Sequence, residues 1–288
     1  MTATRLIFLA ALVMTAFAAN SVLNRLALAE GAIGPGAFAA IRLASGAAAL
    51  CFLVLLSRKS MHWLRPGRIW PVLALAVYVG GFSFGYVSMD AGLGALILFG
   101  VVQLTMFAGA LLARETVPVR TWTGAAIAFT GLVWLLWPAG AGAPPLAAAA
   151  LMVAAGIGWG LYSLIGRRAD DPLAETAINF ALATPIGLAL WLQPFHAEFA
   201  TAPGIGLAML SGIVTSGLGY ALWYAVLPRL SASAAAIAQL TVPPIAMAGG
   251  VVILAEPLTL RFALASMLVL GGVLWSILGR TARARPAG

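Results

Sequence analysis

Side chains able to do chemistry are scarce in this sequence, and most of them are aromatic. Tyr78, Phe82 and Tyr86 follow one another at four-residue steps, which sets all three along one face of a helix. Trp159 and Tyr162 stand one helical turn apart, and Tyr220 and Tyr224 share a face with Trp223 beside them. Rings brought together from separate helices suit a pocket for a planar or apolar group. The alternative is plain packing against lipid or neighbouring helices. Tyr78 favours the pocket, because it lies mid-segment, far from the interfacial belt where Tyr gathers, and its hydroxyl needs a partner there.

Polar groups inside the apolar segments are few. Asn20 and Asn24 share one face, while Gln103 and Gln239 fall near the middle of segments in opposite halves of the chain. Such amides can hold an ammonium or a carboxylate, or they can hydrogen-bond between helices and hold a bundle together. Arg42 is a fixed charge about two turns into its segment, with no acidic residue expected at similar depth. Its guanidinium fork can bind a carboxylate or satisfy the free carbonyls of a helix end. Pro243 and Pro244 interrupt another segment near its middle, which points to a hinge. Glu115 and Glu256, near segment ends, are expected to accept helix-terminal N–H groups or to pair with Arg120 and Arg261.

Other chemistry is missing. There is no Gly-Lys-Ser/Thr phosphate loop, no HExxH motif and no metal-spaced Cys/His set, so neither metal, cofactor nor enzyme is expected. His62 and His196 fall in loops on opposite sides, and the single Cys51 excludes an intrachain disulfide. No Asp, Glu or His falls securely within an apolar segment, which argues against an obligatory proton relay.

The elements that must position these residues are transmembrane helices. With 62% hydrophobic and 8% charged residues, the chain cannot cover a water-soluble globule, so lipid is its solvent. Apolar stretches run near 5–29, 35–57, 68–89, 92–113, 119–138, 146–166, 173–194, 203–227, 232–254 and 259–279. The fold expected is all-α and polytopic, with about ten spans. Arg5, the run from Leu6 and Ala16-Phe17-Ala18 have the look of a signal peptide, but apolar character continues to Leu28, so this stretch is expected to stay as the first span. The net charge of +8 is spread singly through loops without a basic stripe, so nucleic acid is not an expected partner. Arg5, then Arg58, Lys59, Arg65 and Arg68, then Arg114 and Arg120, then Arg167 and Arg168, then Arg229, then Arg280, Arg283 and Arg285 mark one side. The positive-inside rule makes that side, with both termini, cytoplasmic.

An internal repeat organises the spans. At an offset of 141, Glu115 falls on Glu256, Arg120 on Arg261, Gly131 on Gly272 and Trp134 on Trp275. The chain therefore reads as two repeats, 1–140 and 141–288, joined near 138–146. Five spans per repeat is an odd number, so the second repeat must be inverted. Inverted repeats with a site between them near mid-membrane are a recurrent design of secondary transporters.

The run from Tyr220 to Arg229, the small residues from Ala232 to Ala238, Pro243, Glu256-Pro257 and Gly271-Gly272 resemble, in order and spacing, the drug/metabolite transporter superfamily with its paired EamA-type domains. The first repeat keeps Arg42, Glu115 and Gly131. It departs in Ala18-Ala19, where the second has Trp159-Gly160, and in Thr116, where the second has Pro257. Within that superfamily the chain resembles the YddG-type exporters of aromatic amino acids. The resemblance implies a ten-helix fold in a bacterial inner membrane and export of amino acids or related metabolites. Other solutes of the superfamily, such as a cationic drug, a nucleoside or a sugar derivative, are the alternative. An intramembrane scaffold or a lipid-modifying enzyme is the alternative of another class. Across the family the Arg42 position serves carriers of many substrates, which favours a structural role at helix-end carbonyls over carboxylate recognition.

Overall fold

A computed structural model describes residues 2–114, 117–138, 143–166, 169–192, 199–230 and 238–281. Glu115, Thr116, His196, Arg167, Arg168, Arg283 and Arg285 lie outside the described residues, as do 139–142 and 231–237. Seven of the described helices are long and apolar enough to cross a bilayer, and three shorter apolar ones accompany them. They are α1 (Ala3–Ala29), α2 (Pro35–Leu56), α3 (Ile69–Gly85), α4 (Ala91–Leu112), α5 (Val119–Leu136), α6 (Leu146–Gly166) and α7 (Pro172–Trp191). The eighth span runs from α8 (Ala202–Leu210) through a π-helical stretch (Ser211–Leu218) into α9 (Gly219–Val226); α10 (Val242–Leu254) and α11 (Leu260–Thr281) complete the chain. The protein is a polytopic, all-helical membrane protein, as its hydropathy requires.

Local sequence explains where the helices begin and end. Thr2, Asp171 and Thr201 cap α1, α7 and α8 by accepting N–H groups of the first turn. Proline opens α2 and α7, where its missing N–H costs nothing. Arg114 and Ala255, related by the 141-residue offset, both adopt left-handed backbone at φ 56° and 53° just before the two repeat glutamates. A left-handed residue ties off trailing helix carbonyls, and a non-glycine there costs about 1–2 kcal/mol.

Pro243 and Pro244 do not kink a continuous helix. The helical path breaks at Leu240 and Thr241, and both prolines lie in the first turn of α10. Proline is tolerated at that position, so it starts a helix there instead of bending one.

Two seams hold the bundle together, each made by repeat-equivalent helices running antiparallel. In the first, Gly46 of α2 meets Phe180 of α7, while Gly187 of α7 meets Ala40 and Leu43 of α2. In the second, α5 and α11 touch backbone to backbone. A methyl group added at Gly124 would lie 2.4 Å from the Gly272 carbonyl, and one at Gly272 would lie 2.7 Å from the Ala128 amide. Around this seam the contacts are reciprocal: the Arg120 guanidinium lies 4.5 Å from the Trp275 ring, while Arg261 reaches the Trp134 carbonyl at 2.8 Å. Arg120 and Arg261 thus each meet a tryptophan across this antiparallel seam.

Candidate functional site

A chamber of about 780 Å³ opens at the Arg-rich end of the bundle. Of the residues singled out in sequence, Gln103, Tyr162 and Tyr224 line it. One face of α7 supplies most of the remaining polarity. Asn179 and Thr176 both reach the Tyr162 hydroxyl, at 3.5 and 3.4 Å. Glu175 pairs with Arg68, which also donates to the His62 carbonyl at 2.7 Å, and Arg65 lies 3.6 Å from the same carboxylate. Glu175 is therefore an acidic group in the chamber wall that hydropathy averaging conceals. The spacing of Glu175, Thr176 and Asn179 at helical steps was the readable signal.

Behind Tyr162 the rings close up. Trp159 stacks on Tyr162 at 5.7 Å and tilts against Tyr78 at 4.9 Å and Tyr220 at 5.0 Å, with Phe17 edge-on at 6.4 Å. Tyr162 belongs to the chamber wall, whereas Tyr78 and Tyr220 line a void of about 20 Å³. Trp159 lines the void and stacks on Tyr162 of the chamber wall. Asn20 and Phe82 also line the void.

Around the void lies a buried polar network drawn from four spans. Asn20 accepts from Ser211 at 2.6 Å and Thr215 at 3.0 Å, and donates to the Tyr78 hydroxyl at 3.5 Å. Asn24 donates back to the Asn20 carbonyl at 2.9 Å. Arg42, fully buried, donates to Ser216 at 3.0 Å and to the Tyr78 hydroxyl at 2.9 Å. The expectation that Arg42 satisfies helix-end carbonyls is corrected here, because these partners are side-chain hydroxyls on α3 and the π-helical stretch. A π-helix has a wider turn than an α-helix, so Thr215 and Ser216, four and five residues after Ser211, both face the network.

Comparison with known proteins agrees with this architecture. The EamA-like transporter family matches residues 146–278. The chain is 45% identical to an uncharacterized protein of Pseudomonas aeruginosa, PA1977, over 97% of this chain and 98% of the relative. The chain belongs to the EamA-like transporter family. It is also 25% identical to an uncharacterized transporter of Archaeoglobus fulgidus (84% of this chain, 88% of the relative) and 26% identical to the uncharacterized transporter YwfM of Bacillus subtilis (86% of each). A crystal structure superposes with a TM-score of 0.64 at 19% identity, covering 96% of this chain and 99% of that one, which shows the shared fold.

In this EamA-like transporter the end opposite the chamber mouth is shut. Arg25 of α1 donates to Glu256 at 3.2 Å and to the Val87 carbonyl at 3.0 Å, and Asp90 lies 3.7 Å away. Glu256 in turn takes the Ala91 N–H with both oxygens, at 3.0 and 2.9 Å, capping α4. The helix-terminal role expected for Glu256 is seen, but its cation is Arg25 instead of Arg261. Nearby, Ile33 and Ala200 form a β-bridge and Thr201 donates to the Ala32 carbonyl at 2.7 Å, clasping the two repeats.

Burial pushes the Glu256 carboxyl above its ordinary value of 4.5, against the opposing pull of the Ala91 amide and Arg25. An opened, hydrated end would return it toward the ordinary value. The shut arrangement therefore holds the proton more tightly, and acid favours it as pH falls through the raised value toward 4.5. Spin labels at the exposed Val87 and Val252 test this: their short-distance population should grow as the pH falls toward 4.5, and stay constant in Glu256→Gln.

The remaining sequence candidates fall outside both spaces. Trp223 packs on Phe17 at 6.2 Å, Asn24 sits behind Asn20, and the half-buried Gln239 lines neither space. Pro243 is buried and Pro244 exposed at the start of α10.

Proposed function

We propose that this chain exports amino acids, aromatic ones included, across a bacterial inner membrane by alternating access between its two repeats. Its family places it among small-molecule transporters, and the finer reading rests on one observation. A chamber open at the Arg-rich end is walled by Tyr162 and Tyr224, and behind Tyr162 lies the ring cluster centred on Trp159. The positive-inside rule assigns that end to the cytoplasm, so the arrangement is one ready to load a solute from inside. A volume of about 780 Å³ falls within the range of roughly 300–1,000 Å³ usual for small-ligand pockets.

Aromatic rings in and behind the wall suit a planar or apolar side chain, and the polar strip of α7 suits the charged ends of an amino acid. A cationic drug is less well served, because the chamber's carboxylate, Glu175, is already paired with Arg68 and Arg65. Purified protein in liposomes should exchange radiolabelled phenylalanine, tyrosine or tryptophan in counterflow, and an imposed proton gradient should drive no uphill accumulation. Counterflow with none of the amino acids tested would remove the substrate reading and leave the fold as described.

A further inference from the structure

Arg42 is an unbalanced charge. Arg25 and Arg68 each have a carboxylate and backbone carbonyls around them, whereas the partners of Arg42 are two neutral hydroxyls, and among the described residues it forms no ion pair. Its Nη1 is buried without a hydrogen-bond partner, and so is the Tyr220 hydroxyl. The Tyr78 hydroxyl accepts from Arg42 and from Asn20, so its own proton remains to be donated. Tyr78 and Tyr220 line the void beside Trp159, and behind its wall the Arg42 guanidinium carbon stands 5.1 Å from the rings of Tyr78 and Phe82.

A buried guanidinium of this kind is costly unless an anion arrives to meet it. We infer that Arg42, with the hydroxyls of Tyr78 and Tyr220, forms an anchor for one carboxylate, which a solute reaches when Trp159 swings aside. One fixed charge and neutral donors match a singly charged group; a phosphate dianion would bring a second negative charge with no cation to meet it. The identity of the solute rests on the transport reading above. The anion site itself rests on the geometry.

The test uses the full chain in detergent, with binding read from the shift in thermal unfolding. The probes are phenylalanine, phenylalanine amide and phenylacetate. Wild type should bind the two carboxylates at least about tenfold more tightly than the amide, the scale of hydrogen bonds to a charged group. Arg42→Gln, which removes a charge with no ionic partner, should unfold no lower than wild type and should bind all three probes alike. A folded Arg42→Gln that keeps the preference overturns the proposal, as does a wild type with no preference. Should Arg42→Gln fail to fold, Tyr220→Phe decides. Weakening of about tenfold confined to the carboxylates supports the anchor, and an equal effect on the amide, or none, refutes it. Carboxylate binding that depends on Arg42 without any amino-acid counterflow would overturn only the transport reading. Counterflow with the preference intact in Arg42→Gln would overturn only the anchor.

Discussion

Trp159→Ala lowers the counterflow of aromatic amino acids about 100-fold or more, while Trp159→Phe keeps most of it. A hundredfold loss corresponds to about 2.7 kcal/mol, within reach of a tryptophan at the centre of a binding surface. The indole stands against Phe17, Tyr78, Tyr162 and Tyr220 at once, so its removal opens the cluster behind the chamber wall and also frees the rings on which a substrate ring would lie. Truncating a buried tryptophan usually costs roughly 3–5 kcal/mol of stability. The cost here should sit at the low end, because the indole already borders a void that water can enter once it is truncated. Unfolding temperature and counterflow, measured on the same preparation, separate the two effects. Retention of counterflow within about threefold of wild type would show that Trp159 does not hold the transported ring.

Gly272→Ala destabilises the protein by about 3 kcal/mol or more, whereas Gly271→Ala, its neighbour, changes stability by less than about 0.5 kcal/mol. The two glycines differ in what a methyl group would meet. At Gly272 it would fall 2.7 Å from both the Ala128 amide and the Gly124 carbonyl, while at Gly271 nothing lies within 4 Å. Backbone cannot rotate out of the way as a side chain can, so α5 and α11 would have to part. Thermal unfolding of the two variants in the same detergent gives the comparison. Equal midpoints would mean that the seam is looser than the geometry says.

Much of this architecture was legible because hydropathy and repetition act over long stretches. Nine of the ten apolar runs correspond to described helices within a few residues, while of the run 232–254 the helix α10 covers only Val242–Leu254; Pro35 and Pro172 stand where α2 and α7 begin. Four residues that the 141-residue offset pairs as Arg120 with Arg261 and Trp134 with Trp275 lie along the α5–α11 seam, where Arg120 meets Trp275 and Arg261 meets Trp134. What a single sequence does not state is which helix faces which. Arg42 bonds to Ser216, 174 residues away, and nothing local to either residue announces the other. The π-helical stretch escaped notice because α- and π-helices both place Ser211 and Thr215 on one side; Ser216 is what differs. Glu175 was hidden by the apolar average of its segment, although its partners Arg65 and Arg68 had been set aside as topology signals. Nor does anything local announce the pairing of Arg25 with Glu256, 231 residues away. The break before α10 was assigned to the prolines themselves, when their place in a first turn makes them its consequence.

The clasp of Arg25, Glu256 and the Ile33–Ala200 bridge also bears on pharmacology. On the proposed orientation, with the chamber mouth toward the cytoplasm, a blocking compound applied outside the cell meets the clasped end instead of the chamber. Such a compound has to be membrane-permeant, or made within the cell, before the cavity is within its reach.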